Sequence, residues 1–154
     1  MPLVIAAKVD PFDREYYERE IAPRIDGDRI RFVGEVSGAR KVEVLQGAIA
    51  LLHLVQWPEP FGLVMAEAMA CGTPVIAMAH GSIPEVVSHG RTGFVVHALD
   101  QAVEALSWLG RTEPRECRRE AVARFDAARM GREYLALYEA IALAPADGGV
   151  HGRC

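Results

Sequence analysis

Two glutamates in the segment WPEPFGLVMAE are placed where they can hold a polar ligand. Glu59 stands between Pro58 and Pro60, which leave its backbone few conformations, so we expect its carboxylate to be a preorganised hydrogen-bond acceptor. Glu67 is the only charged residue of the apolar stretch 62–70. A helix that apolar is expected to be buried on most sides, and its carboxylate then needs partners, which sugar hydroxyls would supply.

Gly62 stands where the predicted helix at 62–70 begins. A glycine lets a ligand approach the main chain closely, and the first N–H groups of a helix lack partners within the helix. They also carry the positive end of the helix dipole, which suits an anion such as a diphosphate. This dipole contributes roughly 0.3–1 kcal/mol at an exposed site and up to about 2 kcal/mol at a partly buried one. We therefore expect it to position a phosphate without holding it alone.

The same residues also have a purely structural interpretation. Glu59 would then cap the N-terminus of the helix, and Glu67 would meet an arginine or backbone amides. Physical arguments from these residues alone leave both interpretations open.

Five short apolar segments alternate with helical segments, which predicts an α/β fold: a Rossmann-like parallel sheet with helices on both faces. The predicted strands, the first and third of them buried, lie at 3–7, 29–33, 48–55, 75–79 and 93–96. Ligands bind such sheets at the carboxyl ends of the strands. The loops expected to carry the site are those at 8–12, 34–38, 56–62 and 79–84.

The predicted helices are punctuated by proline, glycine and capping residues. Ser37 is expected to cap a helix whose residues Val42 and Leu45 face inward. After residue 99 the pattern is helical to about residue 143, with breaks near Gly110 and Pro114. The predicted helices lie at 13–22, 39–46, 62–70, a short segment from residue 84, and 99–143 with these breaks.

Composition excludes several classes of function. The chain has 154 residues, of which 51% are hydrophobic and 25% charged, as in ordinary globular proteins. Its formal charge of -4 offers no basic face for nucleic acid. Arginines crowd the stretch 111–132 and would suit an anionic membrane surface or an acidic partner. Interleaved Glu113, Glu116 and Glu120 instead favour a solvated helix face.

The three cysteines, Cys71, Cys117 and Cys154, are scattered, which predicts neither a disulfide framework nor a zinc site and fits a reducing cytoplasm. Cys71 is interpreted as a small buried packing residue. No apolar run approaches the roughly 20 residues of a membrane span. We expect a cytoplasmic protein that is at most peripheral to the inner face of the membrane.

The segment from Glu59 to Ala77 closely resembles the E-x7-E motif of the family 4 (group 1) retaining glycosyltransferases, which have the GT-B fold. The blocks GSIPEVV at 81–87 and GRTGFVV at 90–96 resemble the two blocks that follow it in that family. The similarity extends from about residue 3 to residue 140 and is most specific at 58–96. The chain resembles the C-terminal, donor-binding domain of such an enzyme.

The resemblance implies a role for each matched residue. Glu59 would be the catalytic residue, accepting hydrogen bonds from hydroxyls of the transferred sugar, and Glu67 would accept them from the ribose. Main-chain N–H groups of Phe61, Gly62 and Leu63 would contact the sugar and the diphosphate. The donor would be a UDP-, GDP- or ADP-sugar. Its sugar would be transferred with retention through an oxocarbenium-like state, without a metal or other cofactor.

Two histidines near the motif receive no catalytic role. His53 lies in the third predicted strand, where relatives often have an aromatic or aliphatic residue, so a position in the core or at the cleft edge is favoured. His80, beside Gly81, is interpreted as a surface histidine.

The family also implies parts that this sequence does not match. Relatives carry an N-terminal acceptor-binding domain, and their donor domain opens with a central strand and a Gly-Arg loop. Without that strand, the strands at 3–7 and 48–55 would lack their shared neighbour. We expect residues 1–143 to form a donor-binding domain that is incomplete at its N-terminus, and residues 144–154 to form a frayed tail. The chain alone would be inactive and marginally stable.

Two other functions are considered. A noncatalytic or partner-dependent nucleotide-binding or docking module from a truncated gene stays open, and the segment 125–143 would offer it an apolar docking face. A GT-B nucleotide-sugar epimerase is disfavoured because the chain has the E-x7-E motif with Phe61 and Gly62.

Overall fold

The computed structural model describes residues 1–143 of the chain. They divide into two compact units, of which the first is Met1–Ala48 and the second begins at Ile49. The predicted frayed tail at 144–154 and Cys154 lie outside the described residues.

The first unit contains a pair of parallel strands. Strand β1 (Leu3–Ile5) pairs in register with β2 (Ile30–Phe32). The connection is helical but irregular: a 3-10 turn, a short helix, a π-helical turn and a second 3-10 turn follow one another. These are Pro11–Asp13, α1 (Arg14–Tyr16), Tyr17–Ile21 and Ala22–Arg24. Tyr17 packs its ring against Phe32 at a centroid distance of 5.2 Å, which holds this connection against β2.

The first unit is less buried than the sequence predicts. The strand at 3–7 was expected to be buried on both faces, but Leu3 is 42% exposed, because β1 has β2 as its single strand neighbour among the described residues. In helix α2 (Gly38–Gln46), Leu45 is buried as predicted, whereas Val42 is exposed. The covered stripe runs through positions 41, 44, 45 and 48, and position 42 lies off it. Ser37 stands at the N-cap of α2, but its side chain makes no capping hydrogen bond.

The second unit contains three parallel strands in the order β3-β4-β5. They are β3 (Leu51–His53), β4 (Val75–Met78) and β5 (Gly93–Val96). Its helices are α3 (Leu63–Ala70), α4 (Ile83–Val86), α5 (Leu99–Ala105), a 3-10 helix at Leu106–Arg111, α6 (Pro114–Phe125) and α7 (Ala127–Leu143). The breaks near Gly110 and Pro114 lie where the sequence predicts them, and a further break separates α6 from α7 at Asp126.

Helices cover both faces of this second sheet. On one face Ile76 and Met78 of β4 pack with Phe94 and with Ala102 and Ala105 of α5. Successive side chains of a strand point to opposite faces, so the other residues of β4 face α3, which contacts β3 and β4 and packs against α6. All four residues of β4 are buried. The predicted α/β fold with parallel strands and helices on both faces is therefore confirmed.

The third strand differs from its prediction in length and in exposure. The strand is shorter than the predicted 48–55, and Leu52 is exposed, because β3 lies at the edge of its sheet. In the described residues β1 and β3 belong to different sheets and do not pair with each other. The expectation that these two strands lack a shared neighbour stays a prediction.

The α7 helix has no buried residue and exposes an apolar stripe. The stripe has the spacing of one helix face and consists of Met130, Tyr134, Leu137, Tyr138 and Ile141. Among residues 1–143, no helix has both the length and the apolar character that a membrane crossing requires.

Candidate functional site

The loop that carries Glu59 leaves the sheet at the carboxyl end of β3 and leads into α3. His53 is the last residue of β3, in register with Ala77 of β4, so the start of this loop is fixed by the sheet. The predicted position of the loop at 56–62, at the binding edge of a parallel sheet, is confirmed.

The backbone of Glu59 is held by the loop that follows β4. The N–H of Ser82 donates a hydrogen bond to the carbonyl oxygen of Glu59 at 2.9 Å. Gly81 has a φ of +59°, and a Cβ at this position would collide with the backbones of Pro58 and Glu59. Glycine is needed here for both reasons. Two of the four loops that the sequence marks as candidates therefore meet, backbone against backbone.

The carboxylate of Glu59 lies close to His53 and is largely buried. Its side chain is 16% exposed, and its Oε2 lies 3.4 Å from Nε2 of His53. His53 is itself largely buried at the end of β3. A carboxylate in this position keeps contact with solvent, and hence with a ligand, through a small part of its surface.

Helix α3 begins immediately after Gly62, which has a φ of +72°. Gly62 is the N-cap residue of this helix and has no side chain with which to cap it. The carboxylate of Glu59 lies beside His53, and among residues 1–143 no hydrogen bond supports the structural interpretation in which it caps the helix. The first N–H groups of α3 have no partner within the helix.

Phe61 connects this loop to α6. Its ring meets the ring of Phe125 edge-to-face at a centroid distance of 5.5 Å. The guanidinium of Arg124 lies 4.8 Å from the centre of the Phe125 ring, a cation–π distance. No local pattern of the sequence predicts this contact, because Phe61 and Phe125 are far apart along the chain.

Glu67 occupies the less buried side of α3. The buried residues of that helix are Met65, Ala68 and Met69, whereas Leu63 is 71% exposed. Only Leu63 and Ala70, the two end residues of α3, are exposed, so the expectation that this helix is buried on most sides is confirmed. Glu67 is half-buried and has an interaction with another residue of the protein, so a structural role remains open for it.

Glu120 is the centre of a polar cluster that ties α6 to the turn before β5. It is 8% exposed and accepts a hydrogen bond from the hydroxyl of Ser88. Arg124 donates to its Oε1 at 2.9 Å, and Arg91 lies 3.2 Å from its Oε2. The prediction that Glu120 belongs to a solvated face is wrong, because the helix turns this position toward Ser88. Arg124 also donates to the carbonyl oxygens of Glu85 and Val86 at the end of α4.

The environment shifts the ionisation of this cluster. Burial, the largest influence, raises the pKa of Glu120, but the hydrogen bonds from Ser88 and Arg124 and the charges of Arg91 and Arg124 outweigh it and lower that pKa overall. Burial raises the pKa of the Cys117 thiol to about 11, which keeps it protonated and unreactive. Cys71 is half-buried. Among residues 1–143 no group of three or more potential ligand side chains is arranged for a metal ion.

Comparison with known proteins places the fold in a family. The family model for glycosyl transferases group 1 matches residues 3–124. N-acetyl-alpha-D-glucosaminyl L-malate synthase of Bacillus anthracis is 32% identical over 119 residues, which are 72% of this chain and 30% of that protein.

Solved structures give the same result. Sucrose-phosphate synthase from Thermosynechococcus elongatus is 32% identical with a TM-score of 0.69, over 90% of this chain and 39% of that one. HepE of Anabaena, in complex with UDP-glucose, is 22% identical with a TM-score of 0.77, over 90% of this chain and 41% of that one. The chain thus spans less than half the length of these relatives.

The parallel sheets with helices on both faces define an α/β protein of the GT-B type. Since the family model covers most of its residues, the chain belongs to the group 1 glycosyl transferases.

Proposed function

We propose that this chain is the C-terminal, donor-binding part of a retaining glycosyltransferase that takes its sugar from a UDP-, GDP- or ADP-sugar. The observation that carries the proposal is the junction of the β3 loop with α3. There the largely buried carboxylate of Glu59 lies beside a helix start whose N-cap residue is Gly62. Sugar hydroxyls would donate to the carboxylate, and N–H groups of Gly62 and Leu63 would donate to the diphosphate.

The proposed reaction breaks the bond between the anomeric carbon of the sugar and the diphosphate oxygen, and the bonding electrons leave with the diphosphate. The acceptor hydroxyl oxygen bonds to the anomeric carbon on the same face, and its proton passes to the diphosphate. The helix start of α3 would stabilise the charge that develops on the leaving group, without a metal ion, while Glu59 orients the sugar. An N-terminal domain of the whole protein would supply the acceptor.

Relatives support a nucleotide-sugar as the ligand. HepE, which shares the fold, was solved in complex with UDP-glucose. The alternative hypothesis, a noncatalytic or partner-dependent module, makes a different prediction, since it does not require that Glu59 contact a sugar.

Calorimetric titration of the 154-residue chain with matched UDP-, GDP- and ADP-sugars and the corresponding nucleoside diphosphates tests the proposal. We expect one nucleotide class to bind. Glu59→Gln should weaken binding of the nucleotide-sugar about tenfold to a hundredfold, since hydrogen bonds to a charged group contribute about 1.5–3 kcal/mol. Binding of the nucleoside diphosphate should change little, because Glu59 addresses the sugar.

Glu104→Gln is the matched control, because Glu104 is exposed on α5, away from the loop. It should leave both affinities unchanged. A folded chain that binds no member of the panel, or a Glu59→Gln variant that binds nucleotide-sugars like the native chain, would contradict the proposal. The anomeric configuration of a transfer product, determined by proton NMR on the whole enzyme, tests retention.

A further inference from the structure

His53 places a polar atom in the site that the proposed function does not use. Its backbone is fixed at the end of β3, where it lies in register with Ala77. Its side chain is 14% exposed, and its Nε2 atom is buried without a hydrogen-bond partner in the described residues. A buried polar atom without a partner is uncommon in folded proteins and calls for an explanation.

The surroundings of Nε2 indicate what this atom can do. Oε2 of Glu59 lies 3.4 Å away, longer than an ordinary N–H···O hydrogen bond but within reach of a small side-chain rotation. On the other side lies Gly62, where an added Cβ would be 3.5 Å from Nε2 and 3.3 Å from Cγ of Glu59. His53, Glu59 and Gly62 therefore pack together at the start of α3.

The hydrogen bond that holds the backbone of Glu59 does not determine the direction of its carboxylate. Ser82 fixes the carbonyl oxygen, but it does not set the rotation of the carboxylate. A carboxylate offers two oxygens with about four acceptor sites. If one oxygen is committed to a buried donor, the other is left in a defined direction for the ligand.

We infer that His53 is a positioning residue for Glu59, with the hydrogen of its imidazole on Nε2 and directed at Oε2, so that Oε1 faces the sugar. The inference rests on the proposed function in that the sugar of a nucleotide-sugar is the ligand. Nε2 carries a hydrogen in both the cationic imidazole and this neutral tautomer. His53 can therefore donate a hydrogen bond to Glu59 in either protonation state.

The first test needs no ligand. Long-range nitrogen–proton NMR spectra of the native 154-residue chain at pH 8 distinguish the two tautomers, and His53→Gln identifies the signals of this ring. We expect the hydrogen on Nε2, and in Glu59→Met, which has no acceptor there, a changed Nε2 shift. A native ring with the hydrogen on Nδ1 alone and a bare Nε2 would overturn the inference.

The second test separates positioning from packing. His53→Phe keeps a ring of similar shape without a donor, whereas His53→Gln keeps an N–H near the place of Nε2. His53→Phe should weaken binding of the UDP-, GDP- or ADP-sugar that the native chain binds roughly tenfold, as expected for one hydrogen bond to a charged group. It should spare the nucleoside diphosphate, and His53→Gln should recover most of the loss.

Each result of the second test decides the question. Equal weakening of both ligands by His53→Phe would indicate a packing role and overturn the inference, and so would unchanged binding of the nucleotide-sugar. If the native chain bound no nucleotide-sugar, the proposed function would fail on its own, while the tautomer would still decide how His53 and Glu59 interact.

Discussion

The two sheets are built from similar residues but differ in burial. All four residues of β4 are buried, whereas β1, equally apolar, contains no buried residue. In the described part of the chain, Leu45 is the one buried hydrophobic residue of the first unit. The difference follows from neighbours: β4 has a strand on each side and helices on both faces, and β1 pairs with β2 alone. Burial is a property of the surroundings of a strand rather than of its composition.

The contacts of the loop around Glu59 lie in the better-buried second unit. The residues that hold Glu59 in place, His53 and Ser82, belong to the second unit, as does Phe125, which packs against Phe61. We therefore expect the loop around Glu59 to keep its shape wherever the second sheet is intact.

The largest expected effect concerns the second sheet. Ile76→Ala should lower the free energy of unfolding by about 2–5 kcal/mol, because Ile76 is fully buried and its truncation leaves a cavity. Leu52→Ala is the matched control, since Leu52 is the register partner of Ile76 but is 40% exposed. Urea unfolding followed by tryptophan fluorescence reports on the second unit, because Trp57 and Trp108 both lie there. Equal losses from the two truncations would break the comparison between buried and exposed strand positions.

A smaller effect is expected from the buried carboxylate of the second unit. Glu120 pairs with Arg91 and Arg124, and Glu20 of the first unit pairs with Arg19 and Arg24, but the side chain of Glu20 is 40% exposed. Glu120→Gln should cost about 1–3 kcal/mol of unfolding free energy, since it leaves charge-assisted hydrogen bonds unmade. Glu20→Gln should cost less than about 1 kcal/mol, as for exposed ion pairs.

The pH dependence of the free energy of unfolding provides a second measurement of the contribution of Glu120. The pKa of Glu120 is lower in the folded chain than its ordinary value of 4.5. Its stabilising contribution is therefore complete above pH 4.5 and is lost as the pH falls through the lowered pKa. Urea unfolding at several pH values should show a smaller loss below pH 4.5 in Glu120→Gln than in the native chain. An identical acid profile for both proteins would show that this carboxylate is not a source of acid sensitivity.

The smallest effect is expected at the site itself. Leu63→Ala should change the free energy of unfolding by less than about 0.5 kcal/mol, because this side chain is 71% exposed. Nucleotide-sugar affinity should also stay close to the native value, since the proposed contact is the main-chain N–H. Calorimetry on Leu63→Ala beside Glu59→Gln checks this, and a large loss in Leu63→Ala would show that the ligand touches the side chain.

Local signals made much of the fold predictable. Strand and helix positions followed from apolar runs ended by proline and glycine, and the loop around Glu59 followed from its two flanking prolines. The exposure of Leu3 and Val42 was not predictable, because it depends on which surfaces are covered in the folded chain. The contacts of Glu120 with Ser88 and of Phe61 with Phe125 join residues far apart in sequence. No local pattern encodes such pairs.

The contact between Gly81 and Glu59 has a consequence for motion. The two backbones lie so close that no side-chain atom fits between them, and the N–H of Ser82 fastens one to the other. The loops cannot slide past each other without breaking that bond. A ligand that displaces Glu59 must carry the Gly81–Ser82 turn with it and push on α4, whose last carbonyl oxygens are held by Arg124.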